Sequence, residues 1–170
     1  AGVSAPPSVP GTIAISPRRF CWRPASVSFG AIRRVSPNAS VSSRMSATPV
    51  AETVLVRDQS DLGEALRQAR QSGLPVSVAG GRLSMGAQAL VHDGMVLDMT
   101  GYALARYKPE REVVVAGAGA TWAEVLAEVD RHGRSPQLAP SLADATVGGT
   151  LSSNAYGWQV GRPPIADGVR

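Results

Sequence analysis

Two stretches built almost wholly from small residues constrain this chain most. The first, Ala79-Gly80-Gly81-Arg82-Leu83-Ser84-Met85-Gly86-Ala87-Gln88, directly follows the β-prone run Val76–Ala79. The second is Thr146-Val147-Gly148-Gly149-Thr150-Leu151-Ser152-Ser153-Asn154-Ala155-Tyr156-Gly157. Glycines let a backbone approach a ligand closely and adopt positive φ. Successive amides in such a turn form a concave anion site suited to a pyrophosphate. Ser84 and Gln88 add side-chain hydrogen-bonding groups. Either stretch alone reads equally well as a tight turn or a glycine-rich connection. Two of them in one short domain, with strands between, point to one large polar ligand spanning both.

The segments around these stretches alternate between strand and helix patterns. Thr53–Val56 is β-prone, and Ser60 is placed to cap a helix with the apolar face Leu62, Ala65, Leu66 and Ala69. Gly73 is placed to end it, with Pro75 just beyond. Val76–Ala79, Met95–Leu97 and Val113–Ala116 read as strands. Thr121 and Glu124 have capping-box spacing ahead of the apolar face Trp122, Val125, Leu126 and Val129, which His132-Gly133 closes. Ser141 to Asp144 repeats a cap-like spacing. This order reads as a mixed α/β arrangement, not a regular alternation.

Composition divides the chain into a leader and a domain. Residues 1–50 are rich in Ser, Pro, Ala and Arg, with no sustained apolar period, and are expected to be disordered. Residues 1–51 hold no Asp or Glu but carry Arg18, Arg19, Arg23, Arg33, Arg34 and Arg44. The formal net charge of +4 therefore sits in the leader, and the domain at 51–170 has no basic face for nucleic acid. Three readings of the leader stay open: an organellar transit peptide, translated sequence upstream of a true start at Met45, or a functional basic tail. Met45 as the start favours a cytoplasmic protein, and a transit peptide an organellar one. The single cysteine, Cys21, excludes an internal disulfide framework, and His92 and His132 are too few and too scattered for a zinc cluster. No apolar run is long enough to span a bilayer.

Several residues have plain structural readings. Gly117-Ala118-Gly119-Ala120-Thr121-Trp122 mimics a dinucleotide fingerprint, but Trp122 stands where the third glycine would allow close helix–strand packing. Trp122 reads as core. His92, beside Asp93-Gly94, reads as an exposed turn residue, and His132 as a helix-end residue. Tyr156 and Trp158 are ambiguous, with packing or exposure favoured. Asp98 and Asp144 read as single carboxylates without a partner. Arg106, Lys108 and Arg111 around Pro109 read as a solvated turn.

In order along the chain, these residues resemble the FAD-binding domain of the vanillyl-alcohol oxidase and p-cresol methylhydroxylase (PCMH-type) flavoprotein family. The loop at 79–88 is similar to its pyrophosphate loop, and Val113–Trp122 to a strand–turn–helix step. Thr146–Ser152 is similar to its second flavin-contacting segment, and Ile165–Val169 to the approach to its next strand. The resemblance covers about residues 52–170. It implies an α+β FAD-binding domain, represented by its first subdomain and the start of the second. It also implies a separate substrate cap, and the chain is expected to end before that cap. On this resemblance Gly80, Gly81, Arg82, Leu83 and Ser84 would line the FAD pyrophosphate, with Gln88 at the loop's exit. Thr146, Gly149 and Ser152 would touch the flavin or its ribityl chain. Many family members carry a flavin-linking histidine where this chain has Leu83, so the FAD is expected to be non-covalent.

The function implied is an FAD-dependent oxidoreductase, oxidase or dehydrogenase, taking hydride from a small organic substrate and passing electrons to oxygen or another acceptor. Without the cap the chain is expected to be inactive, and no catalytic residue can be named. Three alternatives remain: an inactive flavin-type module, a nicotinamide-binding Rossmann dehydrogenase, and a basic-tail protein that binds nucleic acid or anionic lipid.

Overall fold

The computed structural model describes residues 12–15, 17–18, 38–40, 47–157 and 161–169. Among the described residues, ten strands run in chain order: β1 Thr12–Ile15, β2 Pro17–Arg18, β3 Asn38–Ser40, β4 Ala47–Pro49, β5 Glu52–Leu55, β6 Val76–Ala79, β7 Met95–Asp98, β8 Ala105–Lys108, β9 Val113–Gly117 and β10 Ser135–Pro136. Three α-helices join them: α1 Gln59–Ser72 after β5, α2 Trp122–Asp130 after β9, and α3 Val147–Ser152. β1 to β4 lie within the leader expected to be disordered, so that expectation gives way at these residues. There, pairing with other strands supplies an order that the local sequence does not announce. The other leader residues, Cys21 among them, lie outside the described residues, as does Trp158.

Two small sheets organise the domain. β5 and β6 both pair in parallel with β7, which is the centre of the first sheet. All four residues of β7 are buried, which is why its sequence is apolar until the terminal Asp98. Helix α1 lies on this sheet, burying Ala65 and Ala69 with Met95 and Leu97. Its cap is Asp58, whose Oδ1 accepts from the amides of Ser60 and Asp61. The expected cap, Ser60, instead donates its hydroxyl to the same oxygen. Both residues are good caps, and the earlier one takes the role because the helix starts at Gln59. The same Asp58 carboxyl titrates below its ordinary range, chiefly because of that hydroxyl bond. Gly73 ends α1 at φ 65°, as the sequence predicts. Leu66, expected on the buried face, is 46% exposed.

The second sheet is antiparallel, in the order β1-β9-β8. β8 was expected to be part of a solvated turn. The turn is only Pro109–Glu112, and Tyr107 is buried by pairing with Val114. Alternating charges hid this strand, since only one of its faces meets the core. Helix α2 opens on the expected capping box: Thr121 Oγ1 accepts from the Glu124 amide, and Glu124 Oε2 from the Thr121 amide. It buries Trp122, Val125 and Val129 against Tyr107, Val114 and Ala116. The Tyr107 amide donates to Glu128 Oε1 at 3.0 Å, tying β8 to the helix. That bond is the main reason the Glu128 carboxyl titrates below its ordinary range.

The glycines of the false fingerprint serve packing. A Cβ on Gly119 would collide with the carbonyl oxygen of Met99, so the turn after β9 lies against the 3-10 turn Met99–Gly101 of the other core. Two cores therefore abut: one around Met95 and Leu97, the other around Trp122 and Val125.

Candidate functional site

A cleft of about 840 Å³ opens between the two cores, a size within the usual range for cofactor sites. All nine residues singled out in the sequence line it: Gly80, Gly81, Arg82, Leu83, Ser84, Gln88, Thr146, Gly149 and Ser152. One wall is the irregular loop leaving β6 and the other is the segment Pro140–Tyr156. They touch at Gly80, where a Cβ would collide with Thr146 Oγ1. A Cβ on Gly81 would stand 3.1 Å from the Asp144 carbonyl oxygen. Only bare backbone lets the two walls meet this closely.

The second wall is more regular than its glycine content suggests. Val147–Ser152 forms α3, capped by Thr146, whose Oγ1 accepts from the Gly149 amide at 3.2 Å. Ser152 and Ser153 donate their hydroxyls to the carbonyls of Gly148 and Gly149. Thr150 donates to the Val147 carbonyl and accepts the indole N–H of Trp122 at 3.0 Å. The cap-like pair Ser141 and Asp144 starts no helix and lies in the turn leading to α3.

The first wall is held differently. Arg82 and Ala87 have φ of 55° and 58°, in the left-handed region where side chains are rare. The Arg82 guanidinium Nη2 donates to Asp98 Oδ2 at 3.0 Å. Asp98 was expected to lack a partner. It is buried, and its Oδ1 also accepts from the amide and hydroxyl of Thr100. Among the described residues, Arg82 is the one charged side chain lining the cleft. Ser84 Oγ is buried and has no hydrogen-bond partner.

A protein-family model described as "FAD binding domain" matches residues 50–170. The chain belongs to that family. Cytokinin dehydrogenase 6 of Oryza sativa subsp. japonica is 33% identical over 155 residues, which are 84% of this chain and 27% of that protein. Cytokinin dehydrogenase 2 of Arabidopsis thaliana is 28% identical over 140 residues, 81% of this chain and 25% of that protein. The chain thus spans about a quarter of the length of these relatives. Among solved structures, a BBE-like 1 protein of Physcomitrella patens superposes with a TM-score of 0.60 at 20% identity, over 70% of this chain and 27% of that one. A 6-hydroxy-D-nicotine oxidase from Arthrobacter nicotinovorans gives 0.58 at 18% identity, over 62% and 23%. These likenesses establish the PCMH-type α+β fold, and the nicotinamide-binding Rossmann reading falls with them.

The residues present suit the cofactor of this family. An unpartnered buried hydroxyl costs about 1–3 kcal/mol, a cost that a phosphate oxygen accepting from Ser84 would remove. With Arg82 as its one charged lining residue among the described residues, the cleft would meet a pyrophosphate mainly with the small residues of its two walls and the Ser84 hydroxyl. Sequence reasoning assigned Asp98 no part in the site, and it left Gly148, Thr150 and Tyr156, all within the second stretch, without individual roles. Nothing local marked Asp98: it ends β7, and its place beside the loop comes from strand register opposite Ala79. Tyr156 lines the cleft and is 63% exposed. His92 and His132 do not line it, and neither does Trp122, which is fully buried. Among the described residues no helix is long and apolar enough to cross a membrane, and no cluster of His, Cys, Asp and Glu could hold a metal.

Proposed function

We propose that this chain forms the FAD-holding cleft of an oxidoreductase, with the flavin bound non-covalently. The observation that carries the reading is the convergence of Gly80–Ser84 and Thr146–Ser152 on one cleft around an orphaned Ser84 hydroxyl. When bound, FAD supplies the redox chemistry, accepting hydride from an organic substrate and returning electrons to oxygen or another acceptor. This chain's residues bind and orient. Gly80, Gly81 and Arg82 present backbone amides to the pyrophosphate, and Ser84 donates its hydroxyl. Thr146, Gly149 and Ser152 shape the wall along the flavin and its ribityl chain, with Gln88 at the loop's exit. Leu83 lines the cleft without a nucleophilic nitrogen, which supports non-covalent attachment.

Titrating the chain into FAD should quench flavin fluorescence with one site per chain. Gly81→Val, Ser84→Ala and Gly149→Val should each weaken it, and full affinity in all three would refute the assignment. Acid precipitation should release all the flavin, whereas flavin retained on the pellet would mean a covalent bond elsewhere. Three of the similar proteins carry the name cytokinin dehydrogenase, so a cytokinin is the first substrate to offer the full-length protein.

A further inference from the structure

We infer that Asp98 is a positioning residue for the flavin cleft: it clamps Arg82 so that the loop after β6 keeps its left-handed turn with its amides facing the cleft. The inference rests on the FAD reading above and adds a residue outside the cleft lining. Arg82 holds φ 55°, a conformation costing a side-chain residue of order 1 kcal/mol or more, which persists only where surroundings impose it. Here the imposing contact is the Nη2–Oδ2 bond of 3.0 Å, with Arg82 16% and Asp98 5% exposed. Asp98 is itself fixed, because it ends the buried central strand and its other oxygen is occupied by Thr100. The anchor thus lies in the rigid part of the first core, and the loop is tied to it across sixteen residues of chain.

A rival role for Arg82 is direct attraction of the pyrophosphate by its charge. The two roles predict opposite responses to losing the Asp98 charge. Under direct attraction, Asp98→Asn frees an uncompensated cation beside the phosphates, so FAD binds more tightly and with steeper salt dependence. Under the clamp, Asp98→Asn loosens the loop, and FAD binds about tenfold more weakly despite the freed charge, the loss of one charge-assisted hydrogen bond. Thr100→Ala, which removes one of the two bonds to Asp98 Oδ1 and spares the Arg82 contact, should weaken affinity less than Asp98→Asn does.

Glycine supplies the decisive comparison, because it adopts φ 55° without strain. In the Asp98→Asn background, Arg82→Gly should restore FAD affinity to within about threefold of wild type, and Arg82→Ala should not. Equal affinities for the glycine and alanine variants would overturn the clamp, as would tighter binding by Asp98→Asn alone. Hydrogen exchange of the Gly80–Ser84 amides in the FAD-free chain reads the clamp separately. Exchange should speed up in Asp98→Asn and slow again when Arg82→Gly is added, and unchanged exchange would also overturn it. If the wild-type chain binds no FAD, the functional reading fails, and the exchange data alone decide whether the clamp exists.

Discussion

The two walls of the cleft are made of similar residues but held by different means. In the wall at 146–153 the four hydroxyls are bonded within the segment or to Trp122: Thr146 caps, and Thr150, Ser152 and Ser153 tie back to nearby carbonyls. In the wall at 80–88, two residues with side chains sit at positive φ, a long-range ion pair holds Arg82, and Ser84 Oγ has no partner. The first kind of wall is complete without a ligand. The second leaves the Ser84 hydroxyl unpartnered, so the proposed FAD would gain a hydrogen bond there.

The largest test of this contrast is Trp122→Ala. It removes a fully buried indole and the donor to Thr150, and should cost about 3–5 kcal/mol of stability, read by denaturant melts. A loss below about 1 kcal/mol would mean that α3 does not depend on the second core. Next comes Gly80→Ala, which drives a methyl group into Thr146 and should cost about 1–3 kcal/mol together with FAD affinity. Thr146→Ala should recover part of that loss, since it removes the colliding oxygen. Strict additivity of the two changes would show that the walls do not meet there.

A pair of single-oxygen deletions sharpens the comparison further. Thr146→Ala removes a cap from the self-satisfied wall and should lower stability by about 1 kcal/mol. Ser84→Ala removes an orphan from the other wall, so thermal stability should hold or rise while FAD affinity falls by about 0.5–1.5 kcal/mol. The same sign for both stability changes would erase the distinction. The smallest effect lies away from the cleft. The folded Glu128 carboxyl titrates below its unfolded value, so its contribution is present above that value and is lost as pH falls through the folded one. Glu128→Gln should therefore flatten the decline of Tm on acidification below about pH 4.5 while changing FAD affinity little. An unaltered acid limb would remove Glu128 from the account.

The signals legible in the sequence were those completed within a few residues. Thr121 and Glu124 cap one helix reciprocally, Gly73 ends another, and Met95–Leu97 announces a buried strand, because each depends on neighbours one turn or one strand away. The family resemblance added the joint meaning of the two small-residue stretches, and all nine site residues drawn from it line one cleft. Reading those stretches as loops obscured α3, since glycine and serine lower helix propensity while a Thr146 cap and side-chain ties restore it. β8 escaped notice because Arg106 and Lys108 suggested solvent, although Tyr107 between them belongs to the core.

By itself the sequence determined α1, α2, the strands β5, β6, β7 and β9, and the mixed order in which they follow one another. Tertiary structure alone decided that Gly80 meets Thr146, that Asp98 holds Arg82, and that Ser84 is buried without a partner. Those contacts join residues far apart in the chain, and their cost or gain is set by burial between two cores, which no short window of sequence contains.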